Sequence, residues 1–215
     1  DDRICAITAA MSEGTGLESF REACPHRFFD VGIAEEHALT FAAGLAANGY
    51  KPVTAIYSSF LQRSYDQIIH DVALQNLPVL TCIDRAGLNA GDGPTHHGIF
   101  DVSFLSAIPQ VKIYTPITFA GLEVSVKKAL AEGVPAAIRY PNGGEDDLLK
   151  ATFYPDGEPT DVGVRESNPA NPAIPDAVIV THGRITREAL AARERLATEG
   201  ILVGILLCEY IKPYE

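Results

Sequence analysis

Short apolar runs alternate with longer amphipathic segments along most of this chain, and that alternation limits the possible folds more than any other feature. Runs of four to eight apolar residues are typical of buried strands, and the longer segments between them have helical periodicity. Strands that alternate with helices favour a mostly parallel sheet with helices on both faces, so the predicted fold class is α/β. The alternating segments lie at residues 4–10, 17–23, 27–31, 34–48, 52–58, 61–75, 78–84, 112–116, 119–131 and 136–141.

The pattern changes after Pro141, where glycines, acidic residues and prolines replace the regular alternation. We therefore predict a first domain at residues 1–150, a linker at 151–175 and the incomplete start of a second α/β domain at 176–215. Two strands and one helix would leave an apolar sheet face open, so we expect further chain or a partner to cover it. The predicted strand, helix and strand of this second domain lie at residues 177–181, 185–198 and 201–207.

Composition excludes several classes of protein. The formal net charge of −11 opposes binding to nucleic acid or anionic lipid, because both require a basic surface. No apolar run approaches the roughly 20 residues that span a bilayer, so we predict no role in a membrane. Cys5, Cys24, Cys82 and Cys208 are widely spaced and form no metal-binding or dithiol motif. Buried structural thiols in the reducing cytoplasm are the interpretation that we favour.

Two adjacent acids, Glu35 and Glu36, stand where a predicted strand passes into a helix. Adjacent helical positions point in different directions, so one carboxyl could face inward while the other caps the first turn or faces water. A negatively charged helix start explains the pair without any special function, and this segment alone favours that interpretation. The functional alternative is a partly buried carboxyl that donates or accepts a proton.

Polar and aromatic residues follow the next predicted strands in the same way. Tyr57, Phe60 and Arg63 stand where residues 52–58 give way to a helix, and they fit either a turn or an aromatic platform beside a cation. Ligands bind beyond the carboxyl ends of strands in open parallel sheets. Arg139 ends a later strand, where it is either a surface residue or a phosphate ligand.

The glycine-rich segment at residues 83–98 is the most informative part of the chain. Its four glycines and one proline impose an irregular path, and Arg85, Asp92, His96 and His97 supply a cation, an acid and two imidazoles. Adjacent histidines seldom bind one metal ion, so we predict no metal site here. These residues together indicate a ligand-binding α/β domain whose cleft contains acids, histidines and arginines.

Several motifs, in one order over about the first 141 residues, resemble the 1-deoxy-D-xylulose-5-phosphate synthase family of transketolase-like thiamine-diphosphate enzymes. Any one of them alone would be weak, but their common order makes coincidence implausible. Two residues depart from the family pattern: Glu36 replaces a usual glutamine, and Asn142 a frequent basic residue. The motifs are Met11-Ser-Glu-Gly-Thr-Gly, Phe29-Asp-Val-Gly-Ile-Ala-Glu-Glu-His-Ala, Phe41-Ala-Ala-Gly-Leu-Ala, Tyr57-Ser-Ser-Phe-Leu-Gln-Arg-Ser-Tyr-Asp-Gln, His70-Asp-Val-Ala-Leu-Gln, Asp84-Arg-Ala-Gly-Leu and Asp92-Gly-Pro-Thr-His.

The resemblance implies a role for each matching residue. Glu35 would hydrogen-bond N1′ of the cofactor's aminopyrimidine ring, against which Phe60 and Ile33 would pack. Arg85 and Arg139 would hold the phosphate of the acceptor substrate. The catalytic residues would be Glu35, His96, Asp92, Arg63 and Tyr57, with Tyr57 and Asp92 also contacting substrate.

The resemblance also implies cofactors, substrates and partners. The cofactors would be thiamine diphosphate and Mg²⁺, with the Mg²⁺ ligands on a separate N-terminal diphosphate-binding domain. The substrates would be pyruvate and D-glyceraldehyde 3-phosphate, and the enzyme would be a cytoplasmic homodimer that serves isoprenoid and thiamine biosynthesis. We expect the chain to be inactive without the diphosphate-binding domain. The alternatives are a related subunit, such as the β-chain of a 2-oxo acid dehydrogenase, or a non-catalytic binding module.

Overall fold

The computed structural model describes residues 1–89, 91–168 and 174–213 and divides the chain into two compact units. Unit 1 comprises residues 1–113 and 126–142, and unit 2 comprises residues 114–125 and 143–215. Within the described ranges, no helix is long and apolar enough to cross a membrane.

Most of the strands and helices that begin before residue 142 follow the alternation expected from the sequence. The strands are β1 (Ile4–Thr8), β2 (Phe28–Asp30), β3 (Lys51–Tyr57), β4 (Leu80–Asp84), β5 (Lys112–Tyr114) and β6 (Ala136–Arg139). The helices are α1 (Glu18–Ala23), α2 (Glu35–Ala47), α3 (Ser58–Leu61), α4 (Tyr65–Gln67), α5 (Asp101–Ser106) and α6 (Phe119–Glu132). A π-helical segment, Ile68–Ala73, continues directly from α4.

The sheet of unit 1 brings several strand ends to one edge. Its strands lie in the order β5, β6, β4, β3, β1, β2. The pairs β1–β2, β1–β3, β3–β4 and β4–β6 are parallel. Tyr57 at the end of β3 lies opposite Asp84 at the end of β4, and Ile83 lies opposite Arg139 at the end of β6. Side chains that follow these strands therefore meet at the same carboxyl edge.

The central strands of unit 1 are buried on both faces of the sheet and therefore lack a polar face. All five residues of β4 are buried, as expected for a parallel strand with helices on both faces. Ile7, Ile56, Ile83 and Ile138 of four neighbouring strands have no exposed surface. Helix α2 buries a stripe of helical periodicity that consists of Ala38, Leu39, Ala42, Ala43 and Ala46. The predicted α/β fold with a mostly parallel sheet is confirmed.

Unit 2 contains a smaller mixed sheet beside two helices. Strand β9 lies between β7 and β8, antiparallel to β7 and parallel to β8. The elements are α7 (Asp147–Phe153), β7 (Val164–Ser167), β8 (Ala177–Thr181), α8 (Thr186–Thr198), β9 (Val203–Cys208) and β10 (Tyr210–Lys212). Helices α7 and α8 and strand β9 contribute the buried core of unit 2, which consists of Leu149, Phe153, Ala189, Leu190, Val203, Ile205 and Leu207.

The structure adds elements that the sequence pattern did not predict. Helices α5 and α7 have only six and seven residues, which is less than two helical turns and too short for a clear periodicity. Strands β7 and β10 have four and three residues. The predicted linker therefore contains the end of α7 and the whole of β7, while its residues 169–173 lie outside the described part of the chain.

The four cysteines are free, and three of them, Cys5, Cys82 and Cys208, are buried. Burial raises the pKa of the Cys82 thiol to about 12, so this group stays protonated at neutral pH. The interpretation of Cys5 and Cys82 as buried structural thiols is confirmed by these positions.

The start of α7 provides a test of the unit 2 fold. The Asp146 carboxylate accepts hydrogen bonds from the backbone N–H groups of Leu148 and Leu149, at 3.1 and 3.2 Å. We expect Asp146→Ala to lower the free energy of unfolding by about 1 kcal/mol, because these two donors lose their cap. Both variants lose the ion pair of 2.9 Å between Asp146 and the half-exposed Arg187, but Asp146→Asn keeps the cap and should lose less, since asparagine caps helices equally well. Urea unfolding of both variants measures the difference, and equal losses would contradict the capping role.

Candidate functional site

The candidate site begins at the in-register ends of β3 and β4. Because Tyr57 lies opposite Asp84, the segments that follow these two strands leave the sheet side by side. One segment forms α3, which carries Phe60, and the other turns sharply at Arg85. Arg85 has a φ of +58°, a left-handed backbone that costs energy for a residue with a side chain.

Helix α2 places the two adjacent acids in different environments. Glu35 is its first residue and only 2% exposed, whereas Glu36 is exposed to solvent. The buried carboxylate accepts a hydrogen bond from Arg63 Nη1 at 2.8 Å. Arg63 is half exposed, so this ion pair runs from the interior of unit 1 to its surface.

Three rings cluster next to this ion pair. Phe60 stacks on Tyr57 with 5.7 Å between ring centroids, and its ring meets the edge of His96 at 5.2 Å. The guanidinium of Arg63 lies 5.4 Å from the centroid of Phe60, within the range of a cation–π contact. The aromatic platform beside a cation that we considered from the sequence is therefore present.

Arg85 is held by a ring and by two carboxylates. Its side chain is only 11% exposed, and its guanidinium lies 3.7 Å from the centroid of the Tyr57 ring. It forms salt bridges of 3.2 Å with both Asp84 and Asp92. Burial raises the pKa of Asp84, and the charge and hydrogen bonds of Arg85 oppose that rise. Burial also raises the pKa of Tyr57, so its hydroxyl stays protonated at neutral pH.

Gly14 gives Tyr57 and Arg85 the space that they occupy. A Cβ atom at this position would lie 1.7 Å from the Tyr57 hydroxyl oxygen. The Gly14 carbonyl also accepts a hydrogen bond of 3.0 Å from Arg85 Nη1. The sequence motif contained Gly14, but only the folded chain shows why a larger residue does not fit there.

Arg139 ends β6 at the same edge of the sheet. Its Nε and Nη2 donate to the two carboxylate oxygens of Asp101, at 2.8 and 3.2 Å. Asp101 is 1% exposed and begins α5. A bidentate pair of this kind fixes the plane of the guanidinium. Local sequence pattern gives no indication of Asp101, because its partner lies 38 residues away.

Contacts connect most of the predicted site residues, but not all of them. Rings, ion pairs and hydrogen bonds link Glu35, Arg63, Phe60, Tyr57, His96, Arg85 and Asp92 into one group. Arg139 lies at the same sheet edge by strand register. Ile33 is 83% exposed, two residues before Glu35. The described residues contain no group of three or more His, Cys, Asp or Glu side chains that is suited to a metal ion.

A buried acid and clustered rings at the carboxyl edge of a parallel sheet define a ligand-binding α/β domain. The family model for the transketolase pyrimidine binding domain matches residues 1–144, more than half of the chain. The chain therefore belongs to the transketolase pyrimidine-binding domain family.

Two curated relatives and one solved structure extend this result. The chain is 47% identical to a 1-deoxy-D-xylulose-5-phosphate synthase of Clostridium perfringens and 51% identical to one of Nitratidesulfovibrio vulgaris. The alignments cover 100% and 99% of this chain, but only 34% and 32% of those proteins. A split-gene transketolase, described as an inactive β4 tetramer, has a TM-score of 0.78 at 27% identity, covering 97% of this chain and 66% of that one. This chain thus spans about a third of the length of the curated relatives.

The close approach at Gly14 can be tested by substitution. We expect Gly14→Ala to lower the free energy of unfolding by about 1–3 kcal/mol, because the new methyl group displaces Tyr57 from its stack with Arg85. Gly44→Ala is the matched control, since no atom lies within 4 Å of a Cβ at that position in α2. It should be neutral or stabilise by up to about 1 kcal/mol. The measurement is thermal unfolding. Equal changes in melting temperature for Gly14→Ala and Gly44→Ala would disprove the steric role of Gly14.

Proposed function

We propose that this chain supplies the pyrimidine-binding half of a thiamine-diphosphate-dependent 1-deoxy-D-xylulose-5-phosphate synthase. Such an enzyme joins pyruvate to D-glyceraldehyde 3-phosphate and releases carbon dioxide. The buried Glu35 carboxylate beside the ring of Phe60, in a chain of this family, is the observation that carries the proposal. The names and identities of the curated relatives support the choice of reaction.

The residues present fit the aminopyrimidine half of thiamine diphosphate. Glu35 is an acid at the start of a helix, where it can hydrogen-bond a ring nitrogen. Phe60 offers an aromatic surface next to it, and the exposed Ile33 lies two residues before it. In this proposal Glu35 forms a hydrogen bond with N1′ of the aminopyrimidine ring, while Phe60 and Ile33 pack against the same ring.

The bound cofactor would supply a nucleophilic carbon that takes up the pyruvate carbonyl and holds the electron pair left when carbon dioxide departs. In this proposal the Glu35 carboxylate would accept a hydrogen bond from the proton at N1′ and so control the reactivity of this carbon. Tyr57, Arg63, Asp92 and His96 surround the reacting carbons and can donate or accept hydrogen bonds there.

Arg85 and Arg139 bind the phosphate of the acceptor in this proposal. They follow neighbouring parallel strands, and each is already oriented by a carboxylate partner. Arginine forks match the geometry of phosphate oxygens, so two oriented guanidinium groups suit a dianion.

The proposal requires a diphosphate-binding domain in addition to the residues described here. That domain would bind the diphosphate through Mg²⁺, and the complete enzyme would act as a cytoplasmic homodimer. Without that domain the chain should not release carbon dioxide from pyruvate.

Glu35 and Glu36 form a matched pair for testing the role of the acid. We expect Glu35→Gln to lower carbon dioxide release from pyruvate about 10²- to 10⁴-fold in the complete enzyme, because the proton partner of N1′ is lost. Glu36→Gln should behave like the parent, since Glu36 is exposed and glutamine is usual in the family at that position. Calorimetric titration with thiamine diphosphate separates lost binding from lost catalysis. Parental turnover by Glu35→Gln would remove Glu35 from the reaction.

The arginines are best tested with lysine, because alanine at Arg139 would leave the buried Asp101 carboxylate unpaired. Arg85→Lys and Arg139→Lys should each raise the KM for D-glyceraldehyde 3-phosphate about tenfold, since lysine cannot bind phosphate through a bidentate fork. The KM for pyruvate and the rate with unphosphorylated glyceraldehyde should stay near the parental values.

The exposed Arg21 of α1 supplies the control, and Arg21→Lys should change neither KM. The measurement is steady-state kinetics with the phosphorylated and the unphosphorylated acceptor. Equal losses with both acceptors would assign the two site arginines to structure or cofactor binding instead of phosphate recognition.

A further inference from the structure

The glycine-rich loop after β4 is closed at its base by a pair of backbone hydrogen bonds. Gly87 N–H donates to the Gly98 carbonyl at 2.7 Å, and Gly98 N–H donates to the Gly87 carbonyl at 2.8 Å. A Cβ atom at Gly98 would lie 2.3 Å from the Arg85 carbonyl oxygen, so this closure requires glycine. The two sides of the loop are therefore held together next to Arg85.

Asn89 forms two further hydrogen bonds within this loop, one through its backbone and one through its side chain. Its backbone N–H donates to His97 Nδ1 at 3.1 Å. Its side-chain Nδ2 donates to Asp92 Oδ2 at 2.7 Å, and Asn89 itself is only 8% exposed. The same Asp92 oxygen accepts the hydrogen bond of 3.2 Å from Arg85 Nε. One oxygen of the exposed Asp92 carboxylate thus accepts hydrogen bonds from the buried amide of Asn89 and from the largely buried guanidinium of Arg85.

We propose that Asn89 is a positioning residue, which holds the Asp92 carboxylate beside Arg85 in the orientation that the reaction uses. This inference rests on the proposed function, because it assigns Asp92 to the reacting site. Asn89 does not need to touch a substrate in this role. Its amide supplies one donor. The burial of Asn89 and the backbone hydrogen bond to His97 restrict the movement of that donor.

The charges around Asp92 determine how its protonation responds to this contact. The Asn89 hydrogen bond, together with the hydrogen bond and charge of Arg85, holds the pKa of Asp92 below its ordinary value. The charge on His96 acts in the same direction, whereas desolvation opposes it. Asp84 is a nearby acid that raises the pKa of the hydroxyl of Tyr57, as Asp92 itself does. Removing the Asn89 amide should therefore raise the pKa of Asp92.

This change predicts a shift in the pH dependence of the enzyme. If the reaction uses the Asp92 carboxylate, the acid limb of kcat/KM for D-glyceraldehyde 3-phosphate moves to higher pH in Asn89→Leu. Because the pKa of Asp92 lies below its ordinary value, the carboxylate is the form present at neutral pH, so the acid limb is the one affected. A merely structural loss would lower activity without moving that limb.

The experiment compares Asn89→Leu with Asn89→Ser, whose hydroxyl is too short to replace the amide, in case leucine prevents folding. Asn48→Leu is the matched control, because it also loses one side-chain amide hydrogen bond, of 2.8 Å to the Gly44 carbonyl. Asn48 caps the far end of α2 from Glu35. For each variant, kcat/KM is measured against pH, and the Asp92 carboxyl is titrated by carbon-13 NMR in the chain with this carboxyl labelled.

In both Asn89 variants we expect the Asp92 titration and the acid limb of the kinetic profile to shift together. In Asn48→Leu we expect neither of them to shift. An unchanged Asp92 titration overturns the contact. A shifted titration with the parental kcat/KM at every pH overturns the positioning role, because the reaction then does not depend on how Asn89 holds Asp92. Absence of synthase activity in the parental enzyme would instead overturn the proposed function, and the NMR titration alone would still decide whether Asn89 controls Asp92.

Discussion

The parallel register of β3, β4 and β6 is the constraint on which the candidate site depends. It sets Tyr57 opposite Asp84 and Ile83 opposite Arg139, so three strands deliver their following residues to one edge. The sharp left-handed turn at Arg85 then folds its guanidinium back over the Tyr57 ring. A shift of one residue in this register would send these side chains to opposite faces of the sheet.

Charge compensation is the second condition that the site meets. Glu35 and Asp101 are almost fully buried, and the side chain of Arg85 is nearly so. Removing an unpaired charge from water is costly, and the cost falls when an oppositely charged partner lies within hydrogen-bond distance. The structure supplies a partner in every case: Arg63 for Glu35, Arg139 for Asp101, and two carboxylates for Arg85. Arg85 and Arg139 thus lie beside carboxylates in a chain whose formal net charge is −11.

The sequence predicted those features of the fold and the site that depend on local pattern. Alternating apolar and amphipathic runs identified the long strands and helices, and the different directions of adjacent helical residues indicated that Glu35 and Glu36 cannot point the same way. The pairing of Asp101 with Arg139 depends on residues that are distant in the chain. The need for glycine at position 14 depends on where the Tyr57 ring lies, and local pattern contains no information about either feature.

Burial of an acid does not by itself indicate function, as unit 2 shows. Glu209 has no exposed surface, and burial raises its pKa although its neighbours oppose that rise. These neighbours are the hydroxyl of Tyr154, the guanidinium of Arg165 and the backbone N–H of Ile117, all of which belong to the packed interior of unit 2 or its margin. Arg165 is one-third exposed and lies over the ring of Tyr154, so a buried acid with a cation and a ring occurs in both units. Glu35 differs in its place in the fold: it begins the helix that follows β2, and its neighbours Arg63 and Phe60 follow β3 at the carboxyl edge of the same parallel sheet.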